Sequence, residues 1–170
     1  MDLSGLIRAV PDFPEPGVVF RDITPLLADP AAYAAAVAAM AEPYRGRVDH
    51  VAGIEARGFI LGASVALTLG AGFIPLRKLG KLPSPTLAEG YTLEYGTASL
   101  EVHLDALGPG DRVLVVDDVV ATGGTLVAAV ELVRRTGAEV VAVSALLEIT
   151  ALGGRDRIGN GVDLGVVVSF

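Results

Sequence analysis

"VLVVDDVVATGGT", residues 113–125, joins an apolar run to two adjacent carboxylates and then to a turn of small residues. The run from Asp111 to Asp118 predicts a strand buried on both faces, because such strands are nearly continuous in apolar residues. Residues 124–137 predict a helix with basic residues in its last turn and Gly137 as its stop. The two acids are therefore expected at the carboxyl end of a strand, directly before a turn into a helix.

Strands and helices are predicted to alternate on both sides of this stretch. The further predicted strands are 48–54, 72–77, 139–149 and 163–170, and the further predicted helices are 30–42, capped by Asp29, and 59–69, closed by Gly70. Residues 79–104 are rich in Gly, Pro, Ser and Thr, and their second half, residues 91–104, alternates around Gly96 and Thr97, which predicts a hairpin or a mobile flap. The order predicts an α/β fold with a largely parallel central sheet flanked by helices, in a single domain over residues 1–170.

The composition limits the classes of function. Hydrophobic residues make up 52% of the 170 positions and charged residues 19%, which is typical of a globular protein. The absence of cysteine removes disulfides, thiolate zinc sites and cysteine nucleophiles, and it is compatible with a reducing cytoplasm. With no leader pattern and no apolar run of roughly 18 residues, we expect a cytoplasmic protein without membrane contact. The net charge of −7 argues against nucleic acid as a partner.

A local excess of positive charge interrupts the acidic chain. Residues 56–88 contain no Asp or Glu but include Arg57, Arg77, Lys78 and Lys81. Such a cationic stretch indicates either a site for an anionic ligand or a solvated surface loop. The charges alone leave both interpretations open.

The small residues after the acids predict an anion site. In Ala121–Thr125, at the start of a helix, backbone N–H groups can approach a ligand closely, and two threonines add hydroxyl groups. The alternative is a tight turn that merely requires glycine. Asp117 and Asp118 should point to opposite faces, so that one can accept hydrogen bonds from sugar hydroxyls while the other holds a cation or orients the loop. The sequence contains neither a P-loop lysine motif nor G-x-G-x-x-G, so the pattern favours a sugar phosphate.

At this point the chain resembles a known family. The stretch 113–125 is similar to the phosphoribosyl pyrophosphate signature of the type I phosphoribosyltransferases. PDFPEPGVVFRDITPLL, GIEARGF, RKLGKLP and LEYGTASLEVHLDAL resemble, in order and spacing, the adenine phosphoribosyltransferases. The similarity runs from about Pro11 to Gly154. It implies the type I fold, with a small hood and a flexible flap at about residues 79–104.

The resemblance also implies an activity and a set of binding residues. The family makes AMP and pyrophosphate from adenine and phosphoribosyl pyrophosphate with Mg²⁺, which is held mainly by substrate oxygens and water. By resemblance, Asp117 and Asp118 bind the ribose hydroxyls. The 5'-phosphate loop is Ala121, Thr122, Gly123, Gly124 and Thr125, and the pyrophosphate residues are Glu55, Ala56, Arg57, Arg77, Lys78 and Lys81. The family often has a cis or strained peptide in the Glu55–Arg57 loop.

The remaining implied residues concern the base and the flap. Val19, Phe20 and Arg21 match the adenine-binding segment, although Phe20 could equally be a core residue. Glu94 matches a flap glutamate that manages a purine-ring proton, and Tyr95 beside it is expected to help close the flap; by pattern alone Glu94 is a solvated hairpin residue. The resemblance further implies a homodimer. Two other functions remain open: transfer to hypoxanthine, guanine or xanthine, and a non-catalytic sensor of phosphoribosyl pyrophosphate.

Overall fold

The computed structural model describes residues 2–93, 96–159 and 161–170. The strands are β1 (Arg8–Val10), β2 (Phe20–Asp22), β3 (His50–Ile54), β4 (Gly72–Lys78), β5 (Thr86–Leu93), β6 (Gly96–His103), β7 (Arg112–Val120), β8 (Glu139–Glu148) and β9 (Asp163–Ser169). The α-helices are α1 (Thr24–Ala28), α2 (Pro30–Ala41), α3 (Arg57–Leu69), α4 (Gly124–Arg135) and α5 (Gly154–Ile158). None of the described helices is long and apolar enough to cross a bilayer.

The central sheet has the strand order β5-β6-β4-β3-β7-β8-β9. The five strands β4-β3-β7-β8-β9 are parallel to one another. β5 and β6 form an antiparallel hairpin, which pairs with the β4 edge through β6. β1 and β2 make a separate two-stranded antiparallel sheet near the amino terminus. The prediction of an α/β fold with a largely parallel sheet is confirmed, and the hairpin expected within residues 79–104 is formed by β5 and β6.

Strand β7 is buried on both faces, as its apolar run predicts. Leu114 and Val116 belong to the core on one face, together with α2 and α3, whereas Val113 and Val115 belong to the core on the other face, together with α4. Successive strand residues point to opposite faces, so a strand between two helical layers needs apolar residues at every position.

Local capping accounts for the helix bounds. Asp29 Oδ1 accepts hydrogen bonds from the amides of Ala31 (3.0 Å) and Ala32 (2.9 Å), which starts α2 as predicted. Gly70 has a φ of +67° and ends α3 in the left-handed conformation that glycine adopts without strain. α3 begins at Arg57, two residues before the predicted Phe59, so Arg57 lies in the first turn of the helix and not in a loop.

One boundary differs in a way that matters for the site. β7 continues to Val120, so Asp117 and Asp118 lie within the strand and not at its end. The pairing with β3 stops at Gly53 and Val116, but the pairing with β8 continues to Val120 and Glu148. Asp117 and Asp118 therefore lie on a part of β7 that is still paired with β8 but no longer paired with β3.

Candidate active site

The crevice between β3 and β7 is the point at which the chain reverses direction across the sheet. From β3 the chain passes through α3 to β4 on one side, and from β7 it passes through α4 to β8 on the other side. The two connections diverge where the β3–β7 pairing stops, directly before Asp117. In open α/β sheets such a switch point, at the carboxyl ends of the strands, is the usual place for a ligand.

The loop after β7 forms an anion-sized recess at this crevice. A cavity of about 110 Å³ is lined by Asp117, Val119 and residues 121–126. Gly123 has a φ of +81° and precedes the first turn of α4, whose leading amides have no partner within the helix. Amides and the positive end of a helix dipole favour a phosphate at this position. The sequence-predicted residues Ala121–Thr125 all line the recess.

Gly154 packs directly against this loop. It lies outside every motif that the sequence analysis identified as a phosphate site. A Cβ atom at Gly154 would overlap the carbonyl oxygen of Ala121 and would lie 3.0 Å from the Gly123 nitrogen. In the other direction, a Cβ atom at Gly123 would lie 2.6 Å from the Gly154 oxygen. Two glycines, one on each segment, thus allow the start of α5 to pack directly on the backbone of the loop. No local pattern indicates this contact, because the two segments are about 30 residues apart.

The two acids occupy different environments, as their alternation predicts. Asp117 Oδ1 accepts a hydrogen bond from the Asp118 amide at 2.9 Å. Asp118 is 3% exposed, and its Oδ2 lies 2.9 Å from Arg57 Nε, although the orientation is not that of a hydrogen bond. Burial raises the pKa of both carboxyl groups; the charge of Asp118 raises the pKa of Asp117 further, whereas Arg57 opposes the rise in the pKa of Asp118.

Gly58 brings the first turn of α3 against the acids. A Cβ atom at this position would lie 2.9 Å from Asp117 Oδ1 and 2.9 Å from the Val116 oxygen. Arg57, the preceding residue, can therefore reach Asp118 only because its neighbour lacks a side chain. Sequence reasoning singled out Arg57 but gave no role to Gly58, whose requirement arises from a contact between two distant segments.

A second cluster assembles around Glu55. The peptide bond between Glu55 and Ala56 is cis. Glu55 Oε2 accepts hydrogen bonds from Arg77 Nε (3.2 Å) and the Lys78 amide (3.1 Å), and Oε1 pairs with Lys81 Nζ. Burial raises the pKa of Glu55, but the hydrogen bonds from Lys81, Lys78 and Arg77 outweigh it and lower the pKa. Most of the cationic stretch is thus an organised structure beside β3, not a solvated loop.

The predicted base segment lies next to Arg57. The Arg57 guanidinium carbon is 4.8 Å from the centre of the Phe20 ring, within the range of a cation–π contact. Phe20 also packs edge-on against Phe13, with ring centres 5.2 Å apart. Phe20 is half-buried and Val19 is 46% exposed, so this segment is not part of the central core. The Arg21 side chain turns away and stacks over Phe170 at 4.0 Å.

Comparisons with known proteins were made once this geometry was in hand. A family model described as the phosphoribosyl transferase domain matches residues 23–159, which is well over half of the chain. The chain belongs to the phosphoribosyl transferase family. It is 62% identical over 153 residues to an adenine phosphoribosyltransferase of Acidothermus cellulolyticus, covering 89% of this chain and 86% of that protein. It is 61% identical over 164 residues to one of Thermobifida fusca, covering 94% and 93%.

Solved structures of this family share the fold. The adenine phosphoribosyltransferase of Rhodothermus marinus superposes with a TM-score of 0.94 at 53% identity, covering 99% of this chain and 96% of that one. The Giardia lamblia enzyme, solved with 9-deazaadenine, superposes with a TM-score of 0.94 at 42% identity, with the same coverage. The type I phosphoribosyltransferase fold predicted from the sequence is confirmed.

Two further regions of this phosphoribosyl transferase are the predicted flap residues and a second cleft. Glu94 and Tyr95 lie outside the described residues, and their predicted roles stay predictions. A larger cleft of about 630 Å³ beside α5 is lined by Arg155, Asp156 and residues 159 and 162–164, none of which was predicted to bind substrate. The turn at residues 121–126 is the better site for a sugar phosphate, because the start of α4 can bind a phosphate and the adjacent acids can accept hydrogen bonds from sugar hydroxyls.

Proposed function

We propose that this chain is an adenine phosphoribosyltransferase, as its sequence predicts. It transfers the phosphoribosyl group of 5-phospho-α-D-ribose 1-diphosphate to N9 of adenine and yields AMP and pyrophosphate. The proposal is carried by the groups that lie together at one switch point of the sheet. They are a recess suited to a phosphate, two carboxylates, and Arg57, which contacts both Asp118 and Phe20 of the proposed base segment. The names of relatives at 61–62% identity support adenine as the base.

The sugar-phosphate end of the substrate fits the β7–α4 segment. The amides and hydroxyls of Ala121–Thr125 would hold the 5'-phosphate, and Asp117 and Asp118 would accept hydrogen bonds from the ribose hydroxyls. An ionised carboxylate accepts such bonds through both of its oxygens, and hydroxyl donors stabilise the ionised form. Substrate binding would therefore oppose the rise in pKa that burial causes in the free enzyme.

The diphosphate end fits the cationic cluster. Glu55 holds Arg77 and Lys81, whose side chains are still 33% and 45% exposed, so both cations can also reach a ligand. Arg57, at 35% exposure, adds a further cation. Negative charge grows on the diphosphate as the C1–O bond breaks, and fixed cations stabilise the transition state more than the ground state. Lys78 would contribute its side chain to the same cluster.

The base end fits β2 and the residues before it. We propose that Phe20 packs on the adenine ring and that the backbone groups of Val19 and Arg21 bind its amino edge. The Arg21 guanidinium stacks on Phe170, which leaves the backbone of Arg21 as the part that would read the base. As the C1–N9 bond forms, adenine loses the proton on N9; Glu94 is the proposed acceptor, and Tyr95 is proposed to help exclude water.

Mg²⁺, a homodimer and a cytoplasmic location complete the proposal. The described residues contain no group of three or more His, Asp or Glu side chains placed to hold a metal ion. We propose that Mg²⁺ is held mainly by diphosphate oxygens and waters. When bound, Mg²⁺ would neutralise charge on the leaving group. In the dimer, basic residues such as Lys81 would act partly across the subunit interface.

The test is an assay of purine conversion. We expect AMP to form from adenine and phosphoribosyl pyrophosphate only when Mg²⁺ is present, with a kcat/KM for adenine above those for hypoxanthine, guanine and xanthine. A higher kcat/KM for a 6-oxopurine would show that the base assignment is wrong. Tight binding of phosphoribosyl pyrophosphate with no turnover of any purine would instead identify a sensor.

A further inference from the structure

Glu101 is a buried carboxylate to which the proposed function gives no role. It is 3% exposed and lies on β6, where its Cα pairs with Arg77 of β4 on one side and with Ala88 of β5 on the other. Burial of a carboxylate strongly destabilises the folded state unless hydrogen bonds replace those that water made to it. The groups that donate hydrogen bonds to Glu101 therefore indicate which part of the structure it stabilises.

Within the described part of the chain, the hydrogen bonds to the Glu101 side chain come from one loop and the strand that follows it. Oε1 accepts from the amides of Lys81 (2.8 Å) and Leu82 (2.9 Å), and Oε2 accepts from the Thr86 hydroxyl (3.2 Å). Burial alone raises the pKa of Glu101, but the hydrogen bonds from the loop amides and Thr86 outweigh it and lower the pKa. The loop at residues 79–85, which joins β4 to β5, is thus anchored to β6 by its backbone.

Lys81 is held at three points by this arrangement. Its amide donates to Glu101, its carbonyl oxygen accepts from Arg77 Nη1 at 3.1 Å, and its Nζ pairs with Glu55. The side chain nevertheless stays 45% exposed. The backbone of Lys81 is fixed while its ammonium group remains open to a ligand.

We propose that Glu101 is a positioning residue for the diphosphate half of the site. It fixes the backbone of the loop at residues 79–85 and thereby holds Lys81 beside Arg77, ready for a diphosphate. This inference rests on the proposed function. Glu101 itself does not contact the substrate. It acts because its side chain is long enough to accept hydrogen bonds from the Lys81 and Leu82 amides, and its negative charge is not required for this positioning.

Two substitutions separate reach from charge. Glu101→Gln keeps the length of the side chain and an Oε1 that can accept from both amides, while its NH₂ group can donate to the Thr86 hydroxyl. Glu101→Asp keeps the charge but shortens the side chain by one methylene, so that it cannot reach the loop in the same way. Glu89→Gln is the matched control, since Glu89 is on the same hairpin but pairs with Arg135 of α4.

The measurements are the affinities for inorganic pyrophosphate with Mg²⁺ and, separately, for AMP, by calorimetry on the full-length protein. We expect Glu101→Asp to weaken pyrophosphate binding about tenfold, which corresponds to about 1.4 kcal/mol, and Glu101→Gln and Glu89→Gln to bind it within about twofold of the unmodified protein. AMP affinity should stay the same in all three variants, because AMP carries no diphosphate.

The inference is overturned by any other pattern: a loss in Glu101→Gln equal to or larger than that in Glu101→Asp, no loss in either, or an equal loss of AMP affinity. Failure of the proposed function looks different, because then the unmodified protein itself would not form AMP. Initial rates provide a second readout, in which the KM for phosphoribosyl pyrophosphate rises in Glu101→Asp while the KM for adenine does not change.

Discussion

Arg57 Nε lies 2.9 Å from Asp118 Oδ2, so the free enzyme pairs a cation proposed for the diphosphate with an acid proposed for the ribose. The pair is largely shielded, with the Asp118 side chain 5% exposed and the Arg57 side chain 35% exposed. The same guanidinium lies over Phe20. Arg57 therefore contacts the proposed ribose and base sites at once, and both contacts come from the first turn of α3.

Removal of the Arg57 side chain should affect turnover more than adenine binding. Arg57→Ala takes away a fixed cation where charge develops in the transition state, and we expect kcat to fall about 10²- to 10³-fold. The KM for adenine should change much less. Steady-state kinetics with adenine and phosphoribosyl pyrophosphate varied in turn would measure both effects.

The control for this change is Arg45→Ala. Arg45 pairs with the exposed Glu42 and donates to the Thr68 oxygen near the end of α3, far along that helix from Arg57, and we expect its removal to leave kcat unchanged. The role of Arg57 would be contradicted if Arg57→Ala raised only the KM for adenine, or if Arg45→Ala lowered kcat as much.

Asp117→Asn should stabilise the free protein and impair the enzyme. Burial and the charge of Asp118 raise the pKa of Asp117, so its ionised form destabilises the folded state at neutral pH. Asn removes the charge but keeps an oxygen for the Asp118 amide. We expect roughly 0.5–2 kcal/mol of added stability, with about 2–4 °C in Tm for each kcal/mol. kcat/KM should fall about 10- to 100-fold, as a charge-assisted hydrogen bond to ribose is lost.

The stability gain of Asp117→Asn should depend on pH with a defined sign. A raised folded-state pKa means that the destabilisation is absent below the unfolded value of 3.8 and grows as pH rises through the folded value. The gain should therefore be largest near neutral pH and vanish in acid. Denaturation across this range would measure it. Asp118→Asn should gain less, because it leaves Arg57 without its carboxylate; an equal gain would argue against the pair.

Gly154→Ala should deform the phosphate loop. The added methyl group would overlap the Ala121 oxygen and crowd Gly123, and such overpacking typically costs about 1–3 kcal/mol. We expect the affinity for AMP to fall about tenfold, or by about 1.4 kcal/mol, and the KM for phosphoribosyl pyrophosphate to rise, both measurable by titration and initial rates.

Gly153→Ala provides the comparison for Gly154→Ala. Gly153 has a φ of +65°, but nothing lies within 4 Å of a Cβ atom there. The change should reduce stability by roughly 1–2 kcal/mol through backbone strain, without changing AMP affinity. Equal losses of AMP affinity in both variants would mean that general destabilisation, not contact with the loop, is responsible.

Asp49→Asn should weaken the fold at neutral pH without affecting catalysis. Asp49 accepts hydrogen bonds from the Arg112 side chain at 2.8 and 3.0 Å, and these bonds, together with one from the Arg112 amide, lower the pKa of Asp49 to about 2. The stabilisation is present above the unfolded pKa of 3.8 and is lost as pH falls toward about 2. Thermal melts should show the variant below the parent at neutral pH and level with it near pH 2. A changed kcat would contradict the assignment.

Local signals in the sequence predicted the frame of the protein and the kinds of group in the site. The apolar run of β7 predicted a two-faced strand, Asp29 and Gly70 predicted the start of α2 and the end of α3, and the small residues after Val120 predicted an open turn, which lines the recess. Each of these features depends on residues close together in the chain. That closeness is why the pattern was readable without a structure.

Contacts between distant segments could not be predicted in this way. Periodicity does not show that β3 ends before β7 does, so the acids were expected at the end of a strand and not within it. The fit of Gly58 against Asp117 and of Gly154 against Ala121 depends on how whole elements pack. Likewise, Glu101 looked like one more hairpin residue until the loop that donates to it was in place.

The contact between Gly154 and the loop at Gly123 has a consequence for engineering. A protein designer who transplanted residues 113–125 alone into another sheet would move the signature without its support. The recipient would also need a residue without a side chain where the start of α5 meets the turn. The unit that would have to be transferred is thus a strand, a turn and a distant segment that carries a glycine. A search of other folds for a similar phosphate site should look for all three together.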